Sequence, residues 1–185
     1  MTVYFQKAGK EHTRETLQIA KDQALHRGIL FILVASTSGD TGIQAAHLLH
    51  ETGIRLIVIT HNSGFKDPGA QEFDQNAKEE ISRLGGIVCT GTMALRGVGA
   101  AIRDRYTFSP EQIIADTLRM FGHGVKVCVE MAAMASDAGL IPPVDIMAVA
   151  GSQRGADTAA LIKADSSNRF FNIKVREILA KPFDF

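Results

Sequence analysis

A three-layer α/β/α sandwich built on a mostly parallel sheet is the fold this sequence predicts, and three observations predict it. Unbroken apolar runs at 29–35, 56–59 and 146–150 read as strands buried on both faces, as in a parallel sheet covered by helices above and below. Helical periodicity lies between them: Leu17, Ala20 and Ala24 recur on one face with charges opposite. The resulting strand–loop–helix–strand units are parallel and right-handed almost without exception. The chain of 185 residues carries no linker, repeat or low-complexity tract, so 1–185 reads as a single domain.

In chain order, 2–5 suggests a short opening strand and 11–27 a helix. That helix ends at His26, Arg27 and Gly28, with cations in the last turn followed by the residue that tolerates a left-handed cap. The strand at 29–35 leads through a polar loop into a helix reaching Thr52 and closed by Gly53, and 56–59 is the second strand. A helix near 74–84, stopped by Gly85 and Gly86, precedes a third strand at 87–89. Residues 93–106 and 110–121 read as helices, the second with Ser109 as N-cap and Pro110 at its first position. The segment 125–129 fits either a strand running into a helix at 130–138 or part of one buried helix; periodicity does not separate the two. After the turn at Pro142 and Pro143 comes the fourth strand, 146–150. Residues 158–164 and 171–178 read as a closing antiparallel pair across a turn at 165–169, which gives the sheet an antiparallel C-terminal strand.

Composition narrows the function classes. Lys and Arg total 20 and Asp and Glu total 20, for a formal net charge of +0. A nucleic-acid module needs a basic excess to displace counterions from phosphates, and there is none. The apolar runs are far shorter than a membrane span, so neither a nucleic acid nor a membrane is an expected partner. Cys89 and Cys128 stand far apart and form no zinc or disulfide pattern. The first ten residues lack a secretory pattern, and the expectation is a reduced, cytoplasmic protein.

Ligands of open α/β sheets bind beyond the carboxyl ends of the strands, which directs attention to the strand-exit loops. The first is Ser36, Thr37, Ser38, Gly39, Asp40, Thr41 and Gly42. Its glycines allow close backbone approach, its hydroxyls can donate, and the following helix offers unpaired N–H groups and a positive dipole end, an arrangement suited to phosphate. The competing reading is that these residues only cap the helix, Thr41 with Gln44 as a capping box and Thr37 with Asp40 as a looser one. Asp40 repels an anion unless its carboxylate turns away or serves as a cap. The second loop is Gly151, Ser152, Gln153, Arg154 and Gly155, where the guanidinium fork of Arg154 matches phosphate or carboxylate. His61 and Asn62 leave the second strand, and Thr90, Gly91 and Thr92, followed by Arg96, leave the third. Other patterns are weaker. Gly97, Val98 and Gly99 begin like a dinucleotide fingerprint, but Ile102 stands where a small residue is needed. His47, His50 and Glu51 share a helix flank that reads as solvated, not as a metal site. Glu130, inside an apolar stretch, reads as a helix-start carboxylate or, alternatively, as a buried acid near the site.

Taken together, the strand ending in Ser36–Gly42 and the strand at 145–150 followed by 151–157 resemble the C-terminal domain of pyruvate kinase. There a Thr/Ser/Gly loop cradles the phosphate of an allosteric sugar phosphate and a Gly-Arg-Pro-Gly type loop closes over it. The whole chain is similar to the small stand-alone proteins of that superfamily, mainly archaeal and without an assigned reaction, which are associated with flavin mononucleotide (FMN). Segments 61–73 and 107–138 follow the stand-alone pattern. Two departures matter: Asp40 replaces an arginine of the kinase loop, which argues against a sugar bisphosphate, and Ser152-Gln153 moves the arginine to Arg154. The catalytic barrel of pyruvate kinase is absent from a chain of this length. The resemblance implies a flavoprotein that holds FMN by its phosphate at Ser36–Gly42 with Arg154 balancing charge, and with His61, Asn62 and Thr90–Thr92 along the sugar or ring. With no Trp and two Tyr, a flavin ring would stack on Phe, Met or backbone. Whether such a flavin does redox work is open at this level. The alternatives are a non-catalytic sensor of a phosphorylated metabolite and a homo-oligomeric scaffold whose loops only cap helices.

Overall fold

The structure is a computed structural model that describes residues 1–152 and 154–185. Its strands are β1 (Val3–Lys7), β2 (Phe31–Ala35), β3 (Arg55–Ile59), β4 (Ile87–Cys89), β5 (Asp145–Ala150), β6 (Thr158–Lys163) and β7 (Lys174–Asp184). The helices are α1 (Thr13–Arg27), α2 (Asp40–Leu49), α3 (Gln75–Arg83), α4 (Gly97–Tyr106), α5 (Pro110–Arg119) and α6 (His123–Asp137). The seven strands form one sheet in the order β1-β7-β6-β5-β2-β3-β4. Strands β2, β3, β4 and β5 run parallel, with Ile32 opposite both Leu56 and Met147.

Alternation along the strands makes the two cores. Ile32, Val34, Leu56, Val58, Met147 and Val149 point into a core shared with Leu17 and Ala20 of α1, Ala45 and Leu49 of α2 and Ile81 of α3. Their neighbours Phe31, Leu33, Ile57, Ile59, Ile146 and Ala148 point the other way, into a core closed by Cys128, Val129, Met131 and Ala132 of α6. Each of these strand residues therefore meets apolar atoms on one face or the other, which is why the strands are apolar throughout except at Arg55 and Asp145, the first residues of β3 and β5. Gly28 ends α1 in the left-handed conformation at φ 65°, as its sequence signal predicts.

Several expectations change. Residues 125–129 are helix: they belong to α6, whose run Cys128–Ala135 is wholly buried between the sheet and α5. A helix apolar on nearly every side lacks the amphipathic stripe that would have marked it. Glu130 lies in the middle of α6 rather than at a helix start. The helix expected from 93 begins at Gly97, because the Leu95 amide is held by the Glu130 carboxylate and not by a helical carbonyl. The last strand begins at Lys174, since Ser167–Asn172 forms a 3-10 turn, and it continues to Asp184 to pair in parallel with β1. The antiparallel strand is consequently the penultimate one, β6; β7 reverses again and runs with the rest.

Candidate functional site

The strand order reverses between β2 and β5: β3 and β4 extend from one side of β2, while β6, β7 and β1 extend beyond β5. Such a switch point is where open α/β sheets bind ligands, and here both of the glycine-rich loops leave the sheet. On the α6 side of the same edge lies a cleft of about 150 Å³. Its walls come from the β2 exit (Ser36, Thr37), the β3 exit (Thr60, His61), Phe65, the turn before α4 (Met93, Leu95, Arg96), and α5 and α6.

The β2 exit loop is organised by one hydroxyl. Ser36 is buried, and its Oγ accepts from the amides of Gly39 at 3.2 Å and Gly42 at 3.3 Å. Neither expected capping box forms: the N-cap is Gly39, at φ 115°, and no side chain caps it. A Cβ at Gly39 would overlap the Ala77 methyl of α3, so the left-handed turn and the close helix contact both require glycine. Thr37, Ser38 and Asp40 are left exposed at the loop's rim. The Asp40 carboxylate accepts from the Ser38 hydroxyl at 2.9 Å, which ties its charge to the loop itself. The amides of Asp40 and Thr41, opening α2, have no intrahelical acceptor and carry the positive end of its dipole.

Opposite this rim the cleft is cationic. Lys126 and Glu130, one helical turn apart on α6, form a buried ion pair at 2.5 Å, and the second Glu130 oxygen accepts from the Leu95 amide at 2.8 Å. Arg119 reaches the cleft while pairing with Asp116 at 2.5 Å. His123 is half-buried, and desolvation first, then the charges of Arg119 and Lys126, push its pKa below the ordinary 6.5, so it favours the neutral form. At the mouth, His61 stacks on Phe65 with ring centroids 3.9 Å apart, and the Arg96 guanidinium lies over the Phe65 ring, 4.5 Å from its centroid. His61 Nδ1 is 2.9 Å from Glu72 Oε2, while Lys66 pairs with Oε1 at 2.5 Å. Hydrogen bonds from Lys66 and His61 hold the Glu72 carboxyl below the usual glutamate range. The apolar part of the lining includes Phe65, Met93, Met131 and Met134.

Of the residues expected from sequence, Ser36, Thr37 and His61 line this cleft. Asn62 turns away to donate to the Ser63 carbonyl. Thr90 shares a 2.7 Å hydroxyl contact with Thr60 at the neighbouring strand end, and Gly91 and Thr92 follow it outside the cleft lining. Gly151, Ser152, Arg154 and Gly155 stand at the β5 exit, also outside the lining, and Gln153 lies outside the described residues. Buried Asp157 holds that loop by accepting from the Ser152 amide at 3.2 Å and the Thr158 hydroxyl at 2.9 Å, which leaves the Arg154 side chain exposed. His47 is 2.8 Å from Glu80 on the surface, and among the described residues no cluster of three metal-ligating side chains occurs. No helix of the described residues is long and apolar enough to cross a membrane.

Sequence reasoning missed Lys126, Arg119, His123 and Phe65 as parts of one site. The signal available was the Lys126–Glu130 spacing, a Glu four residues after a Lys inside an apolar helix, which places both charges on one face.

No protein-family model matches the chain. Solved structures similar to it include an O-ureido-L-serine synthase, at 15% identity over 75% of this chain and 50% of that one, with a TM-score of 0.33. A hydrogen sulfide-producing enzyme from Fusobacterium nucleatum matches at 14% identity over 75% of this chain and 44% of that one, with a TM-score of 0.32. The chain thus spans about half the length of these structures.

Proposed function

We propose that this protein binds a phosphorylated small ligand at the β2–β5 switch point, with FMN as the first candidate. The observation that carries the reading is the meeting, in one cleft, of the β2 exit residues Ser36 and Thr37, whose loop leads into the N-terminus of α2, with the cations Lys126, Arg119 and Arg96. A phosphate on the Thr37–Thr41 rim would accept from backbone amides, with the helix dipole behind them. Phe65 and three methionines supply the flat, polarizable surface that a flavin ring needs where Trp is absent. The residues present therefore fit both ends of FMN, although the enclosed space takes only part of it and the rest would lie over the exposed loops. When bound, FMN would supply redox chemistry; the chain's contribution is binding and the charge placed beside the ring. The kinship with pyruvate kinase C-terminal domains belongs to the same proposal. It is supported by the three layers and by a sheet whose core strands are parallel except for β6.

A second reading, a sensor for a smaller phosphorylated metabolite, is favoured by the cleft volume. About 150 Å³ is below the roughly 300–1,000 Å³ usual for ligand pockets. Calorimetric titration with FMN and with riboflavin separates these outcomes. The proposal expects FMN to bind at least tenfold more tightly, about 1.4 kcal/mol, through its phosphate. Equal affinities would remove the phosphate from the account. Stabilisation by phosphorylated sugars without any FMN binding would favour the sensor.

A further inference from the structure

We propose that the inner end of the cleft is a second anion subsite, in which the Lys126 ammonium receives a carboxylate of a small ligand. It lies at the Lys126 wall of the same cleft that the β2 exit loop lines with Ser36 and Thr37.

Lys126 is costly where it stands. The residue is 4% exposed, so its charge has lost nearly all contact with water. It is also the fourth residue of α6, in the first turn, where the helix dipole disfavours a cation. Glu130 offsets this cost at one point only. Among the described residues the Lys126 Nζ meets a single acceptor, Glu130 Oε2, although an ammonium has three donors. The other Glu130 oxygen faces elsewhere, accepting from the Leu95 amide.

Two donors of a buried cation thus remain beside an open cleft, and the groups around them share their polarity. Arg119 and His123 line the same wall, and Glu130 is the one carboxylate among the described lining residues. A carboxylate fits this arrangement: its two oxygens have enough lone pairs to accept from Lys126 and from a neighbouring Arg or His N–H together. Fixed by Glu130 and by α6 packing, the ammonium is already oriented, so little side-chain freedom is lost on binding.

Oxalate, small enough for the cleft, is the probe. Calorimetric titration of the full chain should show oxalate binding, and a K126M/E130Q variant should bind it at least tenfold more weakly. In that variant the buried pair is neutralised together, and the Gln carbonyl can still accept from Leu95, which keeps circular dichroism and cooperative unfolding as checks on the fold. Should the variant fail to fold, the side-chain amine and Cε resonances of Lys126 in the wild-type chain provide the second reading. A shift on oxalate addition supports the subsite, and an unmoved signal overturns it. Absence of oxalate binding to wild type, or equal affinity in the two proteins, also overturns it. Inorganic phosphate titrated into the same two proteins tests the rim separately. Wild type that binds oxalate but no phosphate counts against the rim reading alone.

Discussion

Replacing Ser36 by Ala tests whether one hydroxyl organises the β2 exit loop. The Ser36 oxygen accepts from two glycine amides, at 3.2 and 3.3 Å, and both glycines and Ser36 itself are buried. An alanine leaves both amides without this partner. An unpaired buried donor costs ~1–3 kcal/mol, and bonds at the long end of the usual range belong to the lower part of that interval. The pair together is therefore worth about 2 kcal/mol. For a chain of this size that corresponds to a fall in Tm of roughly 4–8 °C. Urea denaturation followed by circular dichroism gives the free energy directly, and an unchanged m-value shows that the unfolded state has not altered. A variant as stable as wild type would refute the reasoning, because the loop would then be held by something other than this oxygen.

Other substitutions test separate parts of the structure. Glu130→Ala leaves the Lys126 charge buried and alone, and should cost ~3–5 kcal/mol in chemical denaturation, clearly more than K126M/E130Q. Equal losses would mean that the pair is not buried. Gly39→Ala puts a methyl into Ala77 at a positive φ, whereas Gly28→Ala, at φ 65° with open space around it, carries only the left-handed backbone strain of about 1–2 kcal/mol. Gly39→Ala should therefore be the more destabilising of the two, and the reverse order would contradict the α2–α3 contact. The Glu72 carboxyl titrates below its ordinary 4.5 in the fold, so its contribution is present above that value and is lost as pH falls through the depressed pKa. Stability curves of wild type and Glu72→Gln should accordingly differ at neutral pH and converge in acid. His123, likewise depressed in the folded state, should show an NMR titration midpoint below 6.5; a midpoint at or above that value would place it in water.

The layers and the parallel strands at the centre of the sheet were legible because β2, β3 and β5 bury both faces and so carry unbroken apolar runs. Helix ends were legible where a cap residue has one physical job, as at Gly28, Ser109 and Pro110. What stayed hidden was the consequence of packing at a distance. Segment 125–129 reads as strand or helix alike because a helix enclosed on nearly all sides shows no polar stripe. The start of α4 is set by Glu130, 35 residues from the Leu95 amide that it captures, which no local pattern reports. The site was half legible for the same reason. Ser36, Thr37 and His61 follow from the rule about strand exits, whereas the cationic wall comes from α5 and α6, which reach the cleft only after folding. Exposed Arg154 was expected to face the ligand from the opposite loop; its loop leaves the sheet at the same edge, but the cations of the cleft lining are Arg96, Arg119 and Lys126.

We propose above all that this edge of the sheet holds a phosphorylated ligand, with FMN first. A visible absorbance and fluorescence scan of the purified chain, repeated after addition of FMN and removal of the excess, tests it most directly. The account predicts retained flavin at one per chain with quenched fluorescence. Protein that retains no flavin, and whose melting temperature is unmoved by FMN or by phosphorylated sugars and nucleotides, would contradict it.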